Sequence, residues 1–98
     1  MVTSNSQFEA KGFHLTGEEQ RNIKKIVEQI TNFAPSDATV HLKLEKAKEL
    51  FEGILDVNGS LKRFNVKEKA QSLHHLLSSL SSQMYDQLEA WKKNRFLN

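Results

Sequence analysis

The segment Val40-His41-Leu42-Lys43-Leu44-Glu45-Lys46 alternates apolar and polar side chains without a fault. Successive residues of a strand point to opposite faces, so Val40, Leu42 and Leu44 cover a core while His41, Lys43 and Glu45 meet water. A strand wet on one side belongs to a sheet that is covered on one face and open on the other. The rest of the chain must supply its partner strands and its cover.

Upstream, Phe8, Ala10 and Gly12 share one parity and Glu9, Lys11 and Phe13 the other, which predicts a first strand. Thr16-Gly17-Glu18-Glu19 has the pattern of a capping box and opens a helix. Ile23, Ile26, Val27, Ile30 and Phe33 form its apolar stripe, and Pro35 stops it. Its outward face carries Arg21, Lys25, Glu28 and Asn32, with Lys24 on the flank.

Downstream, Ser36-Asp37 turns the chain into the alternating strand, and a third strand runs from Leu50 to Val57. Gly53 inside it reads as a bulge. Asn58-Gly59 reads as a type I′ hairpin leading into a fourth strand, Leu61 to Val66. Ala70, Leu73, Leu77, Leu80, Met84, Leu88 and Trp91 then fall on one helical face, flanked by Leu76. This last helix is expected from about Lys67 to Lys93, roughly 40 Å at 1.5 Å per residue. Lys92, Lys93 and Arg95 sit at its C-terminal end, where cations favour the dipole.

The order is β-α-β-β-β-α, an α+β domain in which two helices pack on one face of a four-stranded sheet. Residues 1–6 read as a disordered N-terminus, 7–95 as the domain and 96–98 as a tail. A chain of 98 residues has room for one core. It holds no cysteine, so disulfides and thiolate chemistry are excluded and a reducing compartment, the cytoplasm, is expected. The first residues lack the basic and apolar regions of a signal peptide, and no apolar run approaches a membrane span.

Candidate chemistry is sparse. His74 and His75 are adjacent on a helix, about 100° apart, and cannot chelate one ion. His14 and His41 stand alone, and the serines of the last helix (Ser72, Ser78, Ser79, Ser81, Ser82) have no basic partner at useful spacing. Gly53 and Gly59 are isolated and make no phosphate-cradling loop. No enzyme activity, cofactor, metal or small-molecule substrate is expected.

The basic residues are the better lead. Arg21, Lys24 and Lys25 lie on the first helix, Lys43 and Lys46 on the second strand, and Lys62, Arg63, Lys67 and Lys69 around the fourth. Singly, each is most simply a solvated surface cation. Together, the four from Lys62 to Lys69 face one carboxylate in that stretch, Glu68, and could contact several phosphates. The net charge, +2, adds little to the argument.

At Val40–Lys46 and Asp56-Val57-Asn58-Gly59 the chain resembles the ribosome hibernation promoting factors, also called ribosome-associated inhibitor A or sigma-54 modulation proteins. That family has a V-x-L-K-V-E-K-like strand, then a strand ending V-N-G, then a helix patterned A-I-D-x-L-x-x-K-L-x-x-Q-L. The last corresponds here to the stretch from Ser72 to Met84. The likeness covers about residues 7–93 and rests on joint order and spacing.

It implies a double-stranded-RNA-binding-like fold. It also implies docking on 16S rRNA of the small ribosomal subunit near the decoding channel, where mRNA and tRNA are blocked in stationary phase and stress. It further implies a monomer of the short form; if the chain binds RNA in this way, the nine cations above are the contacts expected. The chain departs from the pattern in its last helix, where the family presents Lys and Arg at the positions of Ser79 and Ser82. From Ala70 to Trp91 there is no Lys or Arg, while Asp86 and Glu89 are present. Such a face releases few counterions on meeting phosphate. A diverged member acting as a protein-interaction module is the second expectation.

Overall fold

In the computed structural model, which describes residues 6–60 and 62–97, the Thr16 hydroxyl accepts from the Glu19 N–H at 3.1 Å. The Glu19 carboxylate in turn accepts from the Thr16 N–H at 2.9 Å, which closes the capping box. Helix α1 (Gly17–Phe33) starts there and ends two residues before Pro35. The strand before it is β1 (Ser6–Lys11). After it come β2 (Thr39–Ala47), β3 (Leu50–Asn58), β4 (Arg63–Ala70) and α2 (Leu73–Leu97). The β-α-β-β-β-α order is therefore the one expected. Residues 1–5 and 98, and Leu61, expected as the first residue of the fourth strand, lie outside the described residues. Ser6, read with the N-terminal segment, opens β1, and α2 runs past Lys93 into the segment read as a tail.

The sheet runs β1-β2-β3-β4, with β1 parallel to β2 and the other neighbours antiparallel. Val40, Leu42 and Leu44 of β2, Leu55 and Val57 of β3, and Phe64 and Val66 of β4 are buried on one face. Against them lie Ile23, Val27 and Ile30 of α1, and Leu73, Leu76, Leu77, Leu80, Met84 and Leu88 of α2. Leu76, placed on the flank of the stripe by the sequence, is wholly buried at its centre. Among the described residues no helix covers the opposite face of the sheet.

Four local expectations are corrected. Gly53 makes no bulge, because β2 and β3 stay in unbroken register through Leu44↔Gly53. A Cβ there would lie 2.6 Å from Leu80 Cδ1 and 3.2 Å from Leu76 Cδ2, so the glycine lets α2 lie close to the sheet. Gly12 is not part of the first strand. It follows β1 with φ +82°, and a Cβ would meet the Lys46 carbonyl oxygen at 2.6 Å.

Asn58-Gly59 is not a type I′ turn, since neither residue has positive φ. Asn58 pairs with Arg63 across residues 59–62, and the Gly59 N–H donates to the Lys62 carbonyl at 2.8 Å. The Asp37 carboxylate accepts from the Ser60 hydroxyl and N–H, which ties this loop to the turn before β2 and holds the carboxyl below its ordinary value. The two-residue hairpin is instead Lys48-Glu49, between paired Ala47 and Leu50, with Lys48 at φ 58°.

The fourth correction moves a boundary. Lys67 to Ala70, expected as the first turn of the last helix, continue β4 and pair with Ile54 to Phe51 of β3. The helix begins only at Leu73. Ser72 caps it, its hydroxyl accepting from the His75 N–H at 3.1 Å.

Candidate nucleic-acid interface

Strand parity and the pairing register sort the nine candidate cations onto two faces. Lys43 of β2, and Arg63, Lys67 and Lys69 of β4, stand on the open side of the sheet, opposite in parity to Leu42, Phe64 and Val66. Arg21, Lys24 and Lys25 are exposed on α1. Lys46 and Lys62 belong to the helix side, at opposite ends of the sheet. Lys46 Nζ lies 5.2 Å from the centre of the Phe51 ring, and Lys62 Nζ lies 5.7 Å from that of Phe64. The nine residues do not converge on one patch.

On α1 each cation has a carboxylate at helical-neighbour spacing. Glu18 is three residues before Arg21, and Glu28 lies four after Lys24 and three after Lys25. The helix face of α2 adds no balancing positive charge before Lys92. Ser79 and Ser82 are separated by the structure. Ser79 is half-buried and accepts from Gln83 Nε2 at 3.1 Å, and the same amide donates to Glu68 on β4. Ser82 lines a groove of ≈ 540 Å³ between the helices, beside Ser78 and across from Asn22, Lys25 and Ile26. At the far end of that pair, Phe33 meets Tyr85 edge to face at 5.1 Å, and Lys92 Nζ lies 3.7 Å from the Phe33 ring centre. Partial burial there raises the Tyr85 phenol above its ordinary value.

The open face is a chequer of charge. Reading across the strands, Lys11, Glu45, Glu52 and Lys69 form one row, and Glu9, Lys43, Ile54 and Lys67 the next. A third row runs Gln7, His41, Asp56, Asn65. The first two rows line a concavity of ≈ 710 Å³ that includes half-exposed Ile54. Among the described residues the ion pairs within 4.0 Å are Lys69–Glu52 at 3.3 Å and His41–Glu9 at 3.8 Å, the second charged on both sides only when His41 is protonated. Asn65 donates its amide to Asp56, and Arg63 Nε donates to Asn58 Oδ1 at 2.8 Å. Lys11 and Asn65 were missed as members of this face. Parity was the available signal for both, Lys11 opposite Phe8 and Ala10, and Asn65 opposite Phe64 and Val66.

Among the described residues no group of three His, Asp or Glu side chains is placed to hold a metal ion, and no helix is long and apolar enough to cross a membrane. No protein-family model matches the chain, and no curated protein sequence matches it significantly. Solved structures do. The N-terminal domain of Thermus thermophilus Protein Y superposes with TM-score 0.72 at 10% identity, covering 88% of this chain and 94% of that one. A ribosomal subunit interface protein from Coxiella burnetii superposes with TM-score 0.74 at 13% identity, over 90% of this chain and 97% of that one. The chain has, over nearly its whole length, the fold of these two proteins.

Proposed function

We propose that this domain binds the ribosome as a hibernation-type factor. In this reading it docks as a monomer in the cytoplasm on small-subunit 16S rRNA near the decoding channel and holds translation off. One observation carries the reading: the fold coincides almost end to end with that of a ribosomal subunit interface protein, with no large insertion on either side. The strand motif at Val40–Lys46 and the V-N-G ending of β3 point independently to the same family. The function is binding, and the chain contributes surface, not chemistry.

Affinity on this reading is electrostatic and modest, because α1 is charge-balanced and the outer face of α2 carries no cation from Leu73 to Trp91. Purified protein sedimented with small subunits should pellet with them at about 50 mM salt and be largely released by about 200 mM. Failure to co-sediment at the lowest salt would overturn the proposal. A second reading, a protein-interaction module, is favoured by the groove between the helices, where Glu19 offsets Lys25 and Ser78 and Ser82 stand on the wall. Capture of one stoichiometric protein partner, unaffected by nuclease, would support it over the first.

A further inference from the structure

We infer that the β4 margin of the open sheet face is a rail for the phosphates of a single extended RNA strand, and that α1 is not the principal RNA contact. The inference rests on the ribosome-binding reading and names the surface it would use. Three cations, Arg63, Lys67 and Lys69, stand along one side of one strand with Asn65 between them, and all four are exposed. At about 3.4 Å per residue they lie at ~14 and ~7 Å intervals along a line. Those intervals suit alternate and successive phosphates of an extended strand better than the shape-read minor grooves of a duplex.

Strand β4 places no carboxylate on its open side, since Glu68 has the other parity and accepts from Gln83 on α2. Lys67 sits opposite Ile54, and Arg63 opposite Asn58, so neither has an acid directly opposite it on β3. Arg63, itself exposed, donates Nε to Asn58 at 2.8 Å, a bond that does not use its terminal nitrogens. Lys69 alone is paired, to Glu52 at 3.3 Å, and both members of that pair are substantially exposed. Surface pairs of this kind are worth little and give way to a phosphate. The α1 cations each have a carboxylate one helical turn away on their own helix, though not within 4.0 Å.

The test uses the whole chain and two probes, a fluorescent 12-nucleotide oligouridylate read by anisotropy and purified small subunits read by sedimentation. The variants are Arg63→Gln/Lys67→Gln/Lys69→Gln on β4 and Arg21→Gln/Lys24→Gln/Lys25→Gln on α1. Because all six side chains are exposed, both should keep the wild-type circular dichroism spectrum. A conservative control, Lys67→Arg/Lys69→Arg, preserves the charge. With three single-strand contacts the wild-type slope of log K on log salt should be about −2. The β4 variant should flatten that slope and weaken oligouridylate binding about tenfold or more at low salt, while the α1 variant and the control stay near wild type.

Wild-type affinity in the β4 variant, the larger loss in the α1 variant, or no oligouridylate binding by the wild type would each overturn the rail. The two proposals fail separately. Binding to subunits that survives the β4 substitutions removes the rail and spares ribosome binding. Oligouridylate binding through β4 without co-sedimentation keeps the rail and removes the ribosome.

Discussion

At Gly53 a methyl group would stand 2.6 Å from Leu80 Cδ1, 3.2 Å from Leu76 Cδ2 and 3.4 Å from Leu44 Cδ2. All three leucines are buried, so the clash cannot be relieved by moving a side chain into solvent. Gly53→Ala is therefore expected to cost about 1–3 kcal/mol in urea unfolding, the range for overpacking a filled core. Leu80→Ala alone should cost about 2–5 kcal/mol, and it vacates the space the new methyl needs. The double variant should accordingly be less destabilised than the sum. Additivity within about 0.5 kcal/mol would show that the close approach of α2 is not what excludes a side chain.

In the sequence a glycine inside a strand signals either a bulge or a close approach, and choosing between them requires knowing which helix passes overhead. Lys48 was still less visible. A tight turn without Gly or Asn gives no local sign, and its positive φ follows from the pairing of β2 with β3 on either side.

Among the elements, α1 was legible at both ends, because a reciprocal cap and a proline act within a few residues and need no tertiary context. The boundary between β4 and α2 was not. Lys67-Glu68-Lys69-Ala70 are good helix formers by intrinsic preference, and the apolar stripe of α2 extrapolates back through Ala70. Pairing with the first half of β3 outweighs that preference. Ser72 was the local sign that would have placed the start, with its hydroxyl three residues ahead of the N–H it caps. Ser72→Ala should cost about 1 kcal/mol of global stability in urea titration, and Ser72→Asp should retain most of it. Equal losses in both would mean that the hydroxyl is not acting as a cap. The outer edge of β4 is also held by α2, where Gln87 Nε2 donates to the Asn65 carbonyl at 3.1 Å. Together with Lys67 and Lys69, that contact blunts an edge that could otherwise pair with another strand.

For the whole molecule, the cations could be enumerated from the sequence but not assigned to a surface. The sequence grouped Lys62, Arg63, Lys67 and Lys69 as a local patch, but starting the helix at Lys67 hid that Arg63, Lys67 and Lys69 share one side of one strand. The architecture as a whole was readable because each long element has a single period, and two one-sided helices can be buried only on one side of a half-wet sheet.

The parallel pairing of β1 with β2 bears on time as well as on shape. β2, β3, β4 and α2 are consecutive and meet their neighbours through short connections, whereas β1 reaches β2 only after all of α1 has been laid down. Contacts that close long loops are made late. Phe8→Ala, in β1, should therefore speed unfolding and leave the folding rate nearly unchanged in stopped-flow chevrons. Val57→Ala, on the middle strand of the meander and paired with both Val40 and Phe64, should slow folding. Equal slowing by both would place β1 in the nucleus. If the rates divide as expected, the earliest-made strand of the sheet is the last to settle, and a nascent chain carries β1 unpaired until the strands that follow give it an edge.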